Sequence, residues 1–368
     1  MSLHENFWCV IPAGGVGSRL WPLSRAEAPK FLLDLTDSGE SLLKTTWNRL
    51  LPLASPDRIM VVTGMSHRDS VCEQLPDLLR DNLALEPSPK DSSAAIGLAA
   101  ALILRRDPDA IIGSFAADHV IRGSVLFERA IRTAVQAAES GSIVTVGIRP
   151  THPATGFGYI KAGEPRTDIA TFDVYNVRKF VEKPSRATAS KYLSRGDSLW
   201  NAGMFISRAD VLLAQMAESE PELVAGINKI ADAWGTPELA RVREQVWPTL
   251  KKIAIDYSVA EPAARAGKML CVAAHFEWDD VGDFASVANL LTRGRAKDLA
   301  VLGSQARVLS ESSSGIVVAQ QDRLVTVVGM QDIVVVDTPD ALLVTNKAHA
   351  QDVKQLVNRL RDSETEVL

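Results

Sequence analysis

Between Phe7 and Ile148, short runs of apolar, often β-branched residues alternate with longer stretches whose apolar positions recur at helical spacing. The short runs cover residues 8–11, 58–63, 83–85, 110–113 and 143–148, each bounded by turn residues, as expected of strands buried on both faces. Between them Ser41 precedes Leu42, Leu43, Trp47, Leu50 and Leu51, a cap followed by an apolar stripe. Ser124 is expected to cap a second such helix running to Ser140. Strand and helix in alternation predict an α/β fold: a Rossmann-like, mostly parallel sheet with helices on both faces. Residues 151–291 mix strands, over 173–181 and 268–276, with helical stretches and are expected to fold onto the same domain. Past Arg293 the texture changes to brief valine-rich strands at 315–319, 324–328, 333–336 and 341–345, separated by Gly, Asp and Pro turns. Such even spacing predicts a small β-solenoid or sandwich in which each coil buries its face by stacking on the next. A closing amphipathic helix places Val353, Leu356, Val357 and Leu360 on one face. The expected organisation is a large domain over 1–293, a linker at 294–298 and a β-repeat domain with a terminal helix over 299–368.

Composition narrows the class. The 368 residues are 46% apolar and 23% charged, which is the balance of a folded soluble chain. The longest near-uncharged stretch, residues 94–104, is ended by Arg105 and falls well short of the ~20 residues a membrane span needs. No basic region followed by an apolar one opens the chain, so a cytoplasmic protein without a secretory signal is expected. With 40 basic and 45 acidic residues, the net charge of −5 provides no general footprint for nucleic acid or a membrane surface. Any anionic ligand must be held by a local cluster. Cys9, Cys72 and Cys271 lie far apart and fit neither a disulfide framework nor a zinc site, so all three are expected as buried thiols.

The first strand runs into Ala13-Gly14-Gly15-Val16-Gly17-Ser18-Arg19-Leu20, a glycine-rich turn at the strand end where open α/β sheets bind ligands. The dinucleotide fingerprint requires a third glycine where Leu20 stands, and the Walker loop requires a Gly-Lys-Ser/Thr that is absent. What distinguishes the loop is the pair of cations behind it, Arg19 and Lys30, the latter expected in extended backbone next to Pro29. Asp118 follows the strand from Ala110, where a carboxylate suits Mg2+, an ion that takes one or two protein carboxylates together with phosphate oxygens. Asp279 and Asp280 form a further acidic pair, and strand alternation alone does not settle which one points inward.

The run from Gly14 through Trp21-Pro22-Leu23-Ser24-Arg25 to Pro29-Lys30 resembles the signature of sugar-nucleotide pyrophosphorylases, in the form carried by mannose-1-phosphate guanylyltransferases. Further matches follow in the family's order: Ala117-Asp118-His119, Phe180-Val181-Glu182-Lys183-Pro184, Trp200 to Phe205 and Trp278-Asp279-Asp280-Val281-Gly282. The resemblance spans nearly the whole chain and implies a left-handed β-helix-like tail. It also implies a nucleotidyltransferase that makes GDP-mannose and pyrophosphate from GTP and mannose 1-phosphate, with Mg2+ or another hard divalent cation as cofactor. On this resemblance Arg19, Lys30 and Lys183 are the catalytic cations. Ala13, Gly14, Gly15, Gly17, Glu86, Ser92 and Asp118 meet the nucleotide. Gly158, Glu182, Lys183 and Asn201 meet the sugar phosphate, and Asp118 with Asp280 holds the metal. His119, without a partner at metal-ligand spacing, is expected to be structural.

A sugar phosphate is its own nucleophile. With a second pKa near ~6 it is largely dianionic at neutral pH and leaves no proton for a general base to remove. The motifs accordingly hold cations and carboxylates and no Ser-His pair. Where the family usually reads Glu-Pro and then Arg-Asn-Thr-Ala-Pro, this chain reads Glu86-Pro87-Ser88-Pro89-Lys90-Asp91-Ser92-Ser93-Ala94. Lys for Arg and Ser for Thr keep charge and hydroxyl, whereas Asp91 turns a donor and acceptor into an acceptor, so the choice of GTP is less firmly implied than the reaction. Phe31 stands where the family usually has glutamine. The competing readings are a pyrophosphorylase for another sugar 1-phosphate and NTP, and a non-catalytic regulatory subunit that binds sugar nucleotides. The chain ends soon after the β-repeats, so no fused isomerase domain is expected. The open coil end requires a cover, for which a homodimer is expected.

Overall fold

The computed structural model describes residues 5–169, 173–295, 297–303 and 306–363. In chain order its strands are β1 (Phe7–Ala13), β2 (Ile59–Gly64), β3 (Leu83–Glu86), β4 (Ile111–Ser114), β5 (Val120–Arg122) and β6 (Ile143–Ile148). There follow β7 (Tyr159–Pro165), β8 (Val174–Val181), β9 (Ser198–Arg208), β10 (Met269–Ala274) and β11 (Glu277–Asp279). The tail carries β12 (Leu299–Leu302), β13 (Arg307–Glu311), β14 (Gly315–Ala319), β15 (Leu324–Val328), β16 (Ile333–Asp337) and β17 (Leu342–Asn346).

Among the described residues the main sheet has nine strands in the order β3-β2-β1-β4-β9-β6-β10-β8-β7. β1 runs parallel to β2 and β4, β2 to β3, and β6 to β10. β8 and β9 are antiparallel to their partners, so the expected parallel sheet is present with two strands reversed. β9 also pairs with β7, which closes the far half of the sheet on itself like a barrel. The bounds of β8 and β10 lie inside the expected 173–181 and 268–276.

The chain divides into two compact units that do not follow its order. The first takes in the start of the chain through Gly14, with Trp47–Ala117 and Ile121–Trp278. Its core forms where Val10, Met60, Val62 and Ile112 of the sheet pack with the helices Ser92–Arg106, Ala209–Ser219 and Pro221–Asp232. Ala94, Ala95, Ala99, Ala100 and Ala101 keep the first of these helices slim enough to lie close to the strands. The helix Ser124–Ala138 departs from expectation at both ends. Left-handed Gly123 precedes it without a side-chain cap, so Ser124 is its first residue and not its cap, and it stops short of Ser140. Cys9 and Cys271 are buried, and desolvation pushes the Cys271 thiol up to about 12. Cys72, expected to be buried, is exposed on the helix Arg68–Gln74.

The second unit takes in Gly15–Thr46, Asp118–Val120 and everything described from Asp279 onward. Here β12, β14 and β16 stack in parallel, as do β13 and β15, and β17 closes the stack antiparallel to β16. Leu299, Gly315 and Ile333 lie in register across three successive coils, so the arrangement is β-helix-like, the solenoid alternative and not the sandwich. β12 and β13 add to the repeats expected from the sequence. Ile316, Val318, Val334 and Val336 pack with Val353 and Val357 of the helix Val353–Asp362, and with Leu20, Trp21 and Leu23 of the glycine-rich loop. Leu356, expected on the buried face of that helix, is 43% exposed. The Ser41 cap is present, its Oγ accepting the Lys44 amide at 3.1 Å ahead of the helix Leu42–Leu50. Among the described residues no helix is long and apolar enough to cross a membrane.

Candidate active site

Within the second unit the glycine-rich loop is braced against the segment carrying Lys30. The Lys30 amide donates to Val16 O at 3.2 Å and Ser24 Oγ to Gly17 O at 2.7 Å. Gly17 has φ +76°, and a Cβ placed there would lie 2.6 Å from Lys30 Cβ, so the close approach itself requires glycine. Pro29 is extended, while Lys30 opens a short 3-10 turn and does not continue the extended run. Its buried ammonium donates to Asp118 Oδ2 at 2.8 Å and also to the Asp280 carbonyl. Burial alone would raise the Asp118 carboxyl, but Lys30 and His119 outweigh it and hold it below the usual range. Arg19 follows on the turn Ser18–Leu20, half-buried and without a hydrogen-bond or ion-pair partner among the described residues.

Asp279 and Asp280 are told apart by their neighbours. Asp279 Oδ1 accepts the Val281 amide at 2.6 Å and is committed to the backbone turn. The Asp280 carboxyl is pushed up to about 6 by burial, with Lys30 opposing and Asp279, Asp118 and Asp283 reinforcing. Among the described residues no cluster of three or more His, Cys, Asp or Glu forms a ready cage. One ammonium bonded to the Asp118 carboxylate and to the Asp280 backbone, with the Asp280 carboxyl close enough to feel both charges, nevertheless fits a hard divalent ion that takes its remaining ligands from phosphate and water.

A second group of expected residues converges in the first unit. The Asn201 amide donates to Gly158 O at 2.8 Å. A Cβ on Gly158 would meet Glu182 Oε2 at 2.6 Å and Asn201 Cβ at 3.2 Å, so these three residues crowd one point. Lys183, with φ +45°, donates to Glu182 Oε1 at 2.6 Å. Burial would lower its ammonium, yet Glu182 and the acids nearby hold it above its usual value. The positive φ at a lysine is the kind of local strain found at functional positions.

The third group is less compact. Ala13 ends β1, and its carbonyl accepts Thr63 Oγ1 at 2.8 Å. Gly14 is exposed, and a Cβ there would lie 4.0 Å from Glu86 Oε2; Gly15 follows with φ +84° and open space around it. Glu86 is 7% exposed, and its Oε1 has no partner among the described residues. Burial, with Asp91 adding to it, pushes this carboxyl up to about 7. Ser92 is turned to a different neighbour: its Oγ accepts the Ile255 amide at 2.9 Å. Lys90 donates to Pro248 O and Leu250 O, at 2.7 and 2.8 Å, so its charge is occupied by chain carbonyls. Asp91 has φ +68° and accepts the Ser92 amide as the cap of Ser92–Arg106, and Phe31 is core.

Two residues outside the motifs belong to the second group. Thr145 Oγ1 donates to Asn201 Oδ1 at 2.8 Å, and Asn201 Nδ2 donates to Asp256 Oδ1 at 3.0 Å. Asp256 opens the π-helical turn Asp256–Ala260, a rare geometry that recurs at functional sites. Its signal in the sequence is a lone acid between the apolar Ile253-Ala254-Ile255 and Val259-Ala260, too slight to act on without the fold.

The Nucleotidyl transferase family matches residues 9–296, and the MannoseP isomerase/GMP-like beta-helix domain matches residues 306–360. A mannose-1-phosphate guanylyltransferase of Klebsiella pneumoniae is 36% identical over 358 residues, covering 96% of this chain and 74% of the relative. The chain belongs to the mannose-1-phosphate guanylyltransferase family of nucleotidyl transferases. An Escherichia coli guanylyltransferase of the family is likewise 36% identical, over 96% of this chain and 74% of its own length. A Thermus thermophilus crystal structure, described as a mannose-1-phosphate geranyltransferase, superposes with TM-score 0.84 at 29% identity, covering 97% of this chain and 100% of that one. Membership of the family implies a divalent metal cofactor of the kind typical of nucleotidyltransferases.

Proposed function

We propose that the protein joins GTP and mannose 1-phosphate into GDP-mannose, releasing pyrophosphate, by in-line attack of the sugar phosphate on the α-phosphorus. The observation that carries this reading is the Lys30 ammonium bonded at once to Asp118 and to the Asp280 backbone beneath the Gly17 turn. Arg19 and Lys30 neutralise the triphosphate and its leaving pyrophosphate, and the loop amides from Gly14 to Gly17 receive the nucleotide. Glu86 offers a buried acceptor to the N1 and N2 donors of guanine, and Ser92 braces the same segment through Ile255. Lys183 holds the sugar phosphate, with Gly158, Glu182 and Asn201 around the sugar. Asp118 and Asp280 would hold Mg2+, which when bound supplies Lewis-acid stabilisation of phosphate charge. Catalysis on this account consists of positioning two anions against their repulsion and preorganising positive charge, with no protein nucleophile.

Pyrophosphate release across a grid of nucleoside triphosphates and sugar 1-phosphates, with and without chelator, tests the reading. GTP with mannose 1-phosphate is expected to be fastest, to stop with chelator and to return with Mg2+. Turnover that ignores chelator, or that prefers another pair, rejects it. The same reading includes a homodimer formed through the β-repeats, where Leu309, Leu324 and Val328 stand exposed on β13 and β15. Light scattering at micromolar concentration is expected to give twice the monomer mass.

A further inference from the structure

Asp256 is a carboxyl that the account above leaves without a task. It is crowded by protein, yet the residue keeps partial solvent exposure, as a group on the floor of a recess would. The ammonium that acts on it, Lys183, is bonded to Glu182 instead. Asn201 is fixed from both ends, since Thr145 Oγ1 and the Gly203 amide occupy its Oδ1 at 2.8 and 3.2 Å while its Nδ2 donates to Asp256 Oδ1. Asp256 Oδ2, Glu182 Oε2 and the second N–H of Asn201 take part in no side-chain hydrogen bond among the described residues, the Asp256 carboxyl being held otherwise by its own backbone amide. Burial and the Glu182 charge push the Asp256 carboxyl up to about 7, while Lys183 opposes and Asp91 reinforces. A structural acid in so unfavourable a setting would ordinarily be paired or replaced by an amide. Glu182 Oε2 and Asn201 meet at Gly158, and Asn201 Nδ2 carries that group on to Asp256, so two carboxyls and an amide lie in one bonded group, a set that matches adjacent ring hydroxyls, each of which both donates and accepts.

We propose that Asp256 is a specificity-determining residue of the sugar subsite, its free oxygen accepting a ring hydroxyl of the hexose beside the one accepted by Glu182. The inference rests on Gly158, Glu182, Lys183 and Asn201 being the sugar-phosphate subsite. It adds that discrimination among hexose 1-phosphates resides partly on the Asp256–Ala260 turn, outside every motif of the sequence. The segment is tied to the nucleotide side through Ser92 Oγ and the Ile255 amide, so Asp256 is held by a neighbour of known position.

The test is a cycle of protein and substrate changes. kcat/KM is measured for the wild type and Asp256→Asn with mannose 1-phosphate and with its 2-, 3-, 4- and 6-deoxy analogues, at saturating GTP. Asp256→Asn is expected to lower kcat/KM for mannose 1-phosphate roughly 10- to 100-fold with KM for GTP unchanged. At one position the penalty for removing the hydroxyl should vanish in the variant while the others persist. Penalties that persist at every position, or a KM for GTP that rises in step with that for the sugar, overturn the assignment. If Asp256→Asn does not fold, Asp256→Ser enters the same cycle under the same criterion. A wild type that turns over no sugar 1-phosphate overturns the subsite reading itself, a result separate from uniform penalties in an active enzyme.

Discussion

Lys30 and Lys183 look alike in the sequence, each a lysine beside a proline, but their surroundings separate them. The Lys30 side chain is 7% exposed and compensates the acids around it, whereas that of Lys183 is 58% exposed. Lys30→Ala leaves Asp118 and Asp280 without their shared cation, and we expect a stability loss of ~3 kcal/mol on top of a ~10²- to 10³-fold fall in turnover. Lys183→Ala should melt like the wild type and lose turnover alone. Calorimetry paired with pyrophosphate release distinguishes the two, and equal melting of both variants would contradict it. Glu86 gives a pH dependence. The folded protein keeps this carboxyl protonated up to about 7, whereas an unperturbed carboxyl ionises near 4.5, so stability falls as pH rises through that window and levels off above it. Glu86→Gln should remove ~1–3 kcal/mol of that decline, read as a smaller difference in melting between pH 5 and pH 8. Above about pH 7, where Glu86 is ionised, it should also raise KM for GTP, because an amide presents one acceptor to guanine where the carboxylate presents two.

At the scale of elements, the Gly17 turn is the most exacting. Gly17→Ala adds a Cβ 2.6 Å from Lys30 Cβ at a positive φ, so the loop must shift where the Lys30 ammonium is aimed. We expect turnover to fall at least ~10-fold while the melting temperature changes little, because a ~1 kcal/mol backbone penalty falls on a loop and not on the core. Unchanged kinetics would mean that the turn tolerates displacement. Elements are legible in the sequence where their period is set by burial on both faces: β6 and the valine-rich β14 and β16 are buried throughout and mostly apolar, and their bounds follow the pattern to within a residue. β7 and β9 are obscured because they carry Glu164, Lys161, Asn201 and Gly203 within their length, polar and flexible residues that interrupt the apolar signal. The Ser124 cap misleads because serine suits both the cap and the first turn, and the left-handed Gly123 before it decides between them. In the candidate site, the motif residues were legible from their order. Asp256 was not, because it meets Asn201 across 55 residues with no local pattern linking them.

For the molecule as a whole, the division into units matters more than the order of the chain. Leu20, Trp21 and Leu23 of the glycine-rich loop share one apolar cluster with Ile316, Val318, Val334 and Val336 of the coils. The β-repeats therefore support the loop that carries Arg19 and Lys30. A protein truncated after Thr292 should lose nearly all turnover, measured as pyrophosphate release from purified soluble protein, and should not behave as a self-sufficient catalytic domain. Retention of more than a tenth of the activity would contradict this. The linear sequence hides the relation because the loop and the coils lie some ~300 residues apart, a separation that only tertiary packing of apolar faces brings together.

The same shared cluster bears on how such enzymes can be recombined. A chimera with its crossover near residue 293 would inherit its loop from one parent and its coils from the other, and so would join two cores that never adapted to each other. Grafts that transfer residues 15–46 together with the whole tail keep that cluster intact, and are the exchanges in which a foreign phosphate loop should arrive seated on its own support while Glu86 and the base preference stay with the recipient.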